Sequence, residues 1–190
     1  MTASFLQEKS KMLILLFIVT ESIFFAFLIT AFVLYHGNFR EGPSPYNSLA
    51  VGRTAIFSVI LWASSLTMWF SERAMREMNF GKTKRWLEAT MALGATFLIG
   101  QGIEYHGLFV KSITPQTDLF ATTFFTTTGF HGLHVFIGLI VLLILRGLSS
   151  NGFGREAYQR EGYGAAAYYW HFVDGVWVAV FFILYVWGTR

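Results

Sequence analysis

The sequence predicts an all-α integral membrane protein with five transmembrane helices, and three observations lead to this fold class. Of the 190 residues, 54% are hydrophobic and 18% aromatic, while only 13% are charged. So few charged side chains cannot cover the surface of a folded domain of this size in water. The apolar residues also collect in five long runs. These features exclude a soluble enzyme, a disordered tail and a nucleic-acid-binding domain.

Each of the five runs approaches the roughly 20 residues that a hydrocarbon core of about 30 Å requires. The first run follows Lys9 and Lys11, contains Glu21 and is too long for the apolar part of a signal peptide, so we interpret it as an uncleaved span. The second and third runs flank a charged connection at 71–85, and the last two flank a Gly- and Ser-rich connection at 149–162. The predicted spans are 12–34, 54–70, 86–105, 119–145 and 165–187.

The basic residues predict how the chain crosses the membrane. Most of the 14 Lys and Arg residues lie at the amino terminus and in the second and fourth connections. Because cytoplasmic loops carry an excess of Lys and Arg, the amino terminus is predicted to be cytoplasmic. An odd number of spans then places the carboxyl terminus outside. No connection is long enough to fold separately, so residues 1–190 are expected to form one transmembrane domain.

The chain contains no cysteine. This excludes disulfides, thiolate-held iron–sulfur clusters, covalently attached c-type haem and cysteine-bound copper. If the protein belongs to a redox system, we therefore expect the electrons to pass through other chains.

Ionisable residues inside the apolar runs are the main candidates for a functional site, because such groups are costly at membrane depth. The helical rise places them in the middle or the inner half of the bilayer. Two pairs, each three residues apart, share a helix face. The candidates are Glu21, His131, His134, His171 and Asp174.

Two interpretations of these residues stay open. One is a haem or metal site, or a proton relay. The other is a hydrogen-bonded core that fixes the register of the helices, with the threonines at 122–128 as partners of the histidines. Histidines three residues apart on one helix cannot hold a haem from both faces, which weakens the haem interpretation. Glu104 lies near the outer end of the third span, beside Tyr105, and is expected in contact with solvent or headgroups. Glycines on the third and fourth spans predict close helix contacts.

Five short motifs occur in order, one on each predicted span. They are Thr20–Phe27 around Glu21, Ser64–Thr67, Gln101–Tyr105, Thr128–Val135 and Tyr169–Trp177. Together they resemble the signature of subunit III of the haem–copper respiratory oxidases. The resemblance covers nearly the whole chain and is to the short form, which lacks the two amino-terminal helices of the longer members.

The resemblance implies a non-catalytic subunit of a bacterial cytochrome c oxidase in the inner membrane, packed against oxidase subunit I and subunit II. It implies that haem and copper belong to those partners and that this chain has no cofactor of its own. It further implies a role in sustaining proton uptake during the reduction of O₂, and bound membrane phospholipid. Cytochrome c, or a quinol, would supply the electrons, and the chain would be part of an enzyme only within the complex.

The resemblance also marks the intramembrane polar residues as signature positions, with Asp174 expected to pair with His171 or His134. None of them is expected to be catalytic or to bind metal. The signature positions are Glu21, Glu104, His131, His134, His171 and Asp174. Lipid headgroup contacts are expected from Arg73, Arg76 and Lys84.

Other functions stay open. Within the family, the chain would be subunit III of a quinol oxidase, or the subunit III-like protein that accompanies nitric oxide reductase. The motif around Glu21 and the ending at 185–188 favour the cytochrome c oxidase branch. Of a different class would be a small proton-coupled transporter that uses Glu21 and Asp174. That function predicts inverted repeats or broken helices, and the sequence shows neither.

Overall fold

The structure is a computed structural model that describes residues 2–35, 49–150 and 156–188, with side chains at 12–35, 49–147 and 162–188. Lys9 and Lys11, on which the predicted orientation partly depends, lie outside the described side chains. Five helices confirm the all-α fold class. They are α1 (Thr2–Tyr35), α2 (Val51–Arg76), α3 (Phe80–Val110), α4 (Leu119–Ser150) and α5 (Glu156–Val180), which continues as a π-helical segment (Phe181–Trp187).

Four of the helices are long and apolar enough to cross a membrane, as a multi-pass membrane protein requires. α3 is less apolar because it contains Glu88, Gln101 and Glu104. The four apolar segments are Met12–Tyr35, Val51–Arg76, Leu119–Gly147 and Gly162–Trp187.

The helices extend beyond the apolar runs that predicted them. Within the predicted connection 71–85, α2 continues to Arg76 and α3 begins at Phe80, so the turn between the two helices is much shorter than the connection between the apolar runs. The charged residues there pair along the helix. Arg76 Nη2 lies 2.7 Å from Glu72 Oε1, and Arg73 Nε lies 3.2 Å from Glu77 Oε1. Pairs spaced four residues apart support helix formation, so charge alone did not mark the end of α2.

A tight turn joins α2 to α3. Met78 has a φ of 57°, a left-handed conformation that lets the Asn79 amide donate to the Ala74 carbonyl (2.9 Å). This bond closes the carboxyl end of α2. The Asn79 side chain then accepts a hydrogen bond from the Lys82 amide (3.1 Å) and caps α3. Because one helix ends where the next begins, α2 and α3 lie side by side and antiparallel.

α2, α3, α4 and α5 pack together, and α1 lies outside them against α4 and α5. The α2–α3 contacts run from Ser71 with Thr83 at the turn to Thr54 with Glu104 at the far end. The odd-numbered helices run in one direction and the even-numbered helices in the other, as successive membrane spans do. α1 is peripheral, since among its described side chains only Phe25 and Phe32 are buried.

Two tryptophans of α5 fix its register against α2. The indole of Trp170 donates to the Ser64 hydroxyl (3.0 Å), and that of Trp177 donates to the Ser58 hydroxyl (2.8 Å). The Trp170 ring also fills the space left by Gly94 on α3, where a Cβ would lie 2.6 Å from the ring. The predicted close contact at this glycine therefore accommodates an aromatic side chain between helices.

Candidate functional site

Glu104 lies inside the bundle. The expectation that it contacts solvent or headgroups is wrong, because its side chain is only 4% exposed. The Thr54 hydroxyl donates to Oε1 (2.9 Å), and the Tyr185 hydroxyl donates to Oε2 (3.0 Å). Arg53 lines a small cavity beside the carboxylate. Each carboxylate oxygen thus has a donor from a different helix, which offsets the cost of burial.

Local structure explains how these donors reach Glu104. Thr54 lies in the first turn of α2, opposite the last turns of α3, because the two helices are antiparallel. Tyr185 lies in the π-helical segment that ends α5. A π turn contains more residues than an α turn, and such turns occur frequently at functional sites. α2, α3 and α5 therefore meet at one buried carboxylate.

Glu21 has a more open environment on α1. Its Oε2 lies 3.1 Å from His134 Nε2 on α4, and the two side chains are 22% and 11% exposed. The other ring nitrogen of His134, Nδ1, lies 2.7 Å from the Phe130 carbonyl oxygen. A carbonyl only accepts, so Nδ1 must carry a proton. The edge of the Phe25 ring covers His134, with ring centroids 5.1 Å apart.

This geometry requires a proton between Glu21 and His134. With Nδ1 protonated, a neutral imidazole leaves Nε2 as an acceptor, and Glu21 must then carry the proton. If Nε2 is also protonated, the ring is a cation beside a carboxylate. In both arrangements the pair has no net charge. Electroneutrality reduces the cost of placing the pair in an apolar environment.

Asp174 and His171 are connected through a serine of α2. The Ser65 hydroxyl donates to Asp174 Oδ2 in a short hydrogen bond. Because the Ser65 hydroxyl hydrogen is already donated to Asp174, the Ser65 oxygen accepts a hydrogen bond from His171 Nδ1, 3.3 Å away. The expected direct pairing of Asp174 with a histidine is therefore wrong. The three residues form a chain across the α2–α5 contact.

His131 is enclosed by aromatic rings. It is fully buried, and its ring stacks on that of Trp177 with centroids 4.6 Å apart. Phe97 and Phe25 meet it edge-on at 5.8 and 6.4 Å. Neither ring nitrogen has a hydrogen-bond partner within the described part of the chain. His131 thus contributes mainly to packing, in contrast to His134 one turn further along α4.

The threonines of α4 do not serve the histidines as expected. Thr126 and Thr127 donate to carbonyl oxygens four residues earlier in their own helix, and Thr128 also meets the Tyr105 hydroxyl (2.7 Å). The sequence interpretation instead missed several hydroxyl groups on α2 that contact other helices, because the motif Ser64–Thr67 contains only some of them. These hydroxyl groups form a polar series at helical spacing, which is the signal that would have identified them. The series is Thr54, Ser58, Ser64, Ser65 and Ser71.

The basic residues expected to contact lipid headgroups lie around the α2–α3 turn. Arg73 and Arg76 are paired with the glutamates of α2 described above. Lys84 is exposed near the start of α3. The structure therefore leaves Lys84 as the member of the expected set that has no acidic partner among the described residues.

The described acidic and histidine side chains were compared with the requirements of a metal site. No three histidine, aspartate or glutamate side chains among them come together in a way that would hold a metal ion. His131 and His134 lie in different environments on one helix, so they do not form an axial pair for haem. We assign no redox step to these residues.

Comparison with known proteins agrees with the motifs. The family model for cytochrome c oxidase subunit III matches residues 2–189. The chain is 33% identical to cytochrome c oxidase subunit 3 of Thermostichus vulcanus, over 91% of this chain and 85% of that protein. It is 35% identical to the same subunit of Synechocystis sp., over 91% and 73%. It is 31% identical to cytochrome bo(3) ubiquinol oxidase subunit 3 of Pseudomonas putida, over 92% and 84%. The chain belongs to the cytochrome c oxidase subunit III family.

Proposed function

We propose that this chain is the non-catalytic subunit III of a proton-translocating cytochrome c oxidase, which stabilises the catalytic subunit and sustains its proton uptake during the reduction of O₂ to water. Family membership supports the subunit III role. The observation that carries the rest is the hydrogen bonding of the intramembrane carboxylates. Glu21, Glu104 and Asp174 each hydrogen-bond to a side chain of another helix. Such bonds hold helices in register, as a scaffold for a partner requires.

The face toward the catalytic subunit is proposed to include Glu21. The Glu21–His134 pair is partly exposed, whereas Glu104 is enclosed. An open apolar groove between α1 and α5 lies next to it, with Ser22 and Ala26 on one wall and Gly175 on the other. Small residues permit close approach of a further helix. His131, His171 and Asp174 would support this face from inside the bundle.

The complex is the direct test. A tag on this chain should co-purify oxidase subunit I with its haem and copper, together with subunit II, from membranes of the host. Reduced-minus-oxidised spectra measure the haem per tagged chain. A chain that purifies without a haem protein contradicts the proposal. A matched sample tagged on subunit I should contain this chain in the same ratio.

The electron donor is proposed to be cytochrome c. A relative named as a ubiquinol oxidase subunit is nearly as similar as the cytochrome c oxidase subunits, so a quinol is the second candidate. Measuring O₂ consumption by the purified complex with reduced cytochrome c and with a quinol distinguishes them. A nitric oxide reductase partner would be revealed by NO consumption. Solute movement into proteoliposomes containing this chain alone would instead favour a transporter.

The membrane arrangement is proposed to be five spans in a bacterial inner membrane, with the amino terminus cytoplasmic, the carboxyl terminus outside and residues 1–190 as one domain. α3 is long enough, since 31 residues at about 1.5 Å each exceed a bilayer's thickness. Its antiparallel packing on α2 supports the same depth. A reporter that is active only in the cytoplasm should be silent when fused after Arg190 and active when fused within the α2–α3 turn.

A further inference from the structure

The α2–α3 turn carries more positive charge than its own carboxylates neutralise. Glu72 and Glu77 are paired with arginines of α2, and Glu88 Oε1 lies 2.7 Å from the guanidinium of Arg146 on α4. All the acidic residues from 71 to 88 are thus engaged. Within the described residues, the side chains of Lys82, Lys84 and Arg85 have no acidic partner. The start of α3 thus presents a basic surface that has no acidic partner among the described side chains.

Helix geometry divides these three cations between two sides of α3. Residues three or four apart lie on one face, so Lys82, Arg85 and Trp86 are neighbours. Lys84 is two residues from Lys82 and therefore points to another side of the helix. Thr83 and Leu87, which are buried, mark the inward face between them. Lys82 and Arg85 are thus displayed together on the outward surface.

Exposed aromatic rings lie beside these cations on the same surface, since Trp86 directly follows Arg85 and comes one helical turn after Lys82. The Trp86 ring stacks on the Phe70 ring across the α2–α3 contact, with centroids 4.9 Å apart and planes at 28°. Trp69 meets Phe70 edge-on at 5.1 Å. Trp86, Phe70 and Trp69 are 38%, 40% and 48% exposed. Trp is enriched at membrane interfaces, where an amphipathic ring can contact both acyl chains and headgroups.

We propose that Lys82 and Arg85, with the Phe70–Trp86 stack beside them, bind an anionic phospholipid such as phosphatidylglycerol. We call this surface the turn site. The phosphate contacts the two cations, and the glycerol and upper acyl chains lie against the rings, with Trp86 about 6 Å further along α3 than Lys82. This inference rests on the proposed function, because it requires α3 to cross the membrane beside α2.

Both parts of the turn site favour a lipid over an acidic protein segment. An acidic segment would match the cations but would leave the stacked rings without an apolar contact. A phospholipid carries a negative charge and apolar chains on one molecule, which matches a basic surface next to exposed rings. The turn site also replaces the headgroup contacts expected from the sequence, since Arg73 and Arg76 are already paired and Lys84 points elsewhere.

The test uses the purified oxidase complex in nanodiscs that contain photoactivatable phosphatidylglycerol or photoactivatable phosphatidylcholine. Mass spectrometry measures lipid cross-linked to the peptide that contains Lys82 to Trp86. Because each basic residue near a membrane surface contributes about fivefold to anionic lipid binding, we expect phosphatidylglycerol to label this peptide at least about fivefold more than phosphatidylcholine. The double variant K82Q/R85Q should abolish the preference, and the matched control K84Q should retain it.

Three results would overturn the inference. The first is equal labelling by the two lipids in the unmodified complex. The second is an unchanged preference in a K82Q/R85Q complex that retains this chain. The third is release of the chain from the catalytic subunit in that variant with the preference unchanged, which would show that the cations bind a protein partner.

If the double variant does not assemble, the unmodified complex still provides a test. Salt shortens the range of electrostatic attraction, so the preference should fall when ionic strength rises from about 0.1 to 1 M. A preference that is independent of salt contradicts the turn site. Failure of the proposed function would be recognised separately, because haem-containing subunits would then be absent from the tagged preparation. That result does not depend on which lipid labels the peptide.

Discussion

Glu104 and Glu21 are both carboxylates among apolar helices, but their surroundings differ. Glu104 is 4% exposed and accepts hydrogen bonds from α2 and α5. The Glu21 side chain is 22% exposed and contacts a single histidine on α4. α1, which carries Glu21, packs on one side only, whereas α3 lies between α2 and α4.

The difference in exposure between the two carboxylates corresponds to two roles that a polar side chain can have in a membrane protein. An enclosed carboxylate with a donor for each oxygen fixes the helices around it, and its loss leaves their hydroxyl groups without that acceptor. A carboxylate at a partly open surface contributes less to the bundle and remains accessible to a neighbour. We therefore expect substitutions at Glu104 to affect stability, and substitutions at Glu21 to affect the behaviour of the complex.

The largest effect is expected from Glu104→Leu. The change removes the acceptor of the Thr54 and Tyr185 hydroxyls and should destabilise the bundle by about 3 kcal/mol. SDS titration of the complex, followed by release of this chain, measures the loss. Glu21→Leu is the matched control and should release the chain at a higher SDS concentration than Glu104→Leu. Equal effects would contradict the comparison.

An intermediate effect is expected from Glu104→Gln. The amide keeps one oxygen acceptor, but its NH₂ group cannot accept the second hydroxyl. The loss should be about 1 kcal/mol, which is the net value of one hydrogen bond. The same SDS titration should place this variant between the unmodified chain and Glu104→Leu. A glutamine variant as unstable as the leucine variant would show that the charge, not the hydrogen bonds, matters.

A smaller effect on stability is expected from Glu21→Gln and His134→Gln. Interhelical hydrogen bonds in membranes contribute about 0.6 kcal/mol on average, so each variant should assemble and keep its haem spectrum. The double variant should lose less than the sum of the two, because both changes remove one contact. Turnover is the second measurement. We expect O₂ reduction in Glu21→Gln to begin at the normal rate and decline sooner, and loss of haem would contradict this role.

The smallest effect is expected from Arg53→Gln. Arg53 is exposed and lines the cavity beside Glu104, but the carboxylate is already held by two hydroxyls. Exposed charges contribute about 0 to 1 kcal/mol. SDS release should therefore shift by less than in Glu104→Gln. A larger shift would mean that Glu104 depends on the guanidinium.

The helices could be predicted from the sequence because apolar length is a strong signal. Their ends could not, since the charged residues after Phe70 pair along α2 and continue the helix. The intramembrane candidates were also identifiable, because ionisable residues are rare there. The hydrogen-bond partners of these candidates were harder to identify. Thr54 and Tyr185 lie far from Glu104 in the chain, and only the packing of three helices brings them together.

The threonines of α4 illustrate a second limit. Their number suggested partners for the histidines, but a threonine hydroxyl in a helix readily bonds to a carbonyl of the preceding turn. Thr127 does so at 2.8 Å. The number of threonines on α4 therefore overstated how many of its polar side chains are available to contact other helices. The polar series on α2 was the better guide, because its spacing keeps the hydroxyls on one inward face.

The π-helical end of α5 makes the chain length between two contacts critical. Trp177 and Tyr185 are fixed to different partners, Ser58 and Glu104, on either side of the start of this segment. Deleting one residue between Phe181 and Leu184 would allow an ordinary α-helix to continue. Seven α-helical steps of about 100° would then bring Tyr185 back to nearly the same side of the helix as Trp177, so the contact with Glu104 should survive the deletion. A regular α-helix with all the residues kept would instead turn Tyr185 by about 80° relative to Trp177 and disconnect it from Glu104, so the π turn is what allows this chain length to join both contacts.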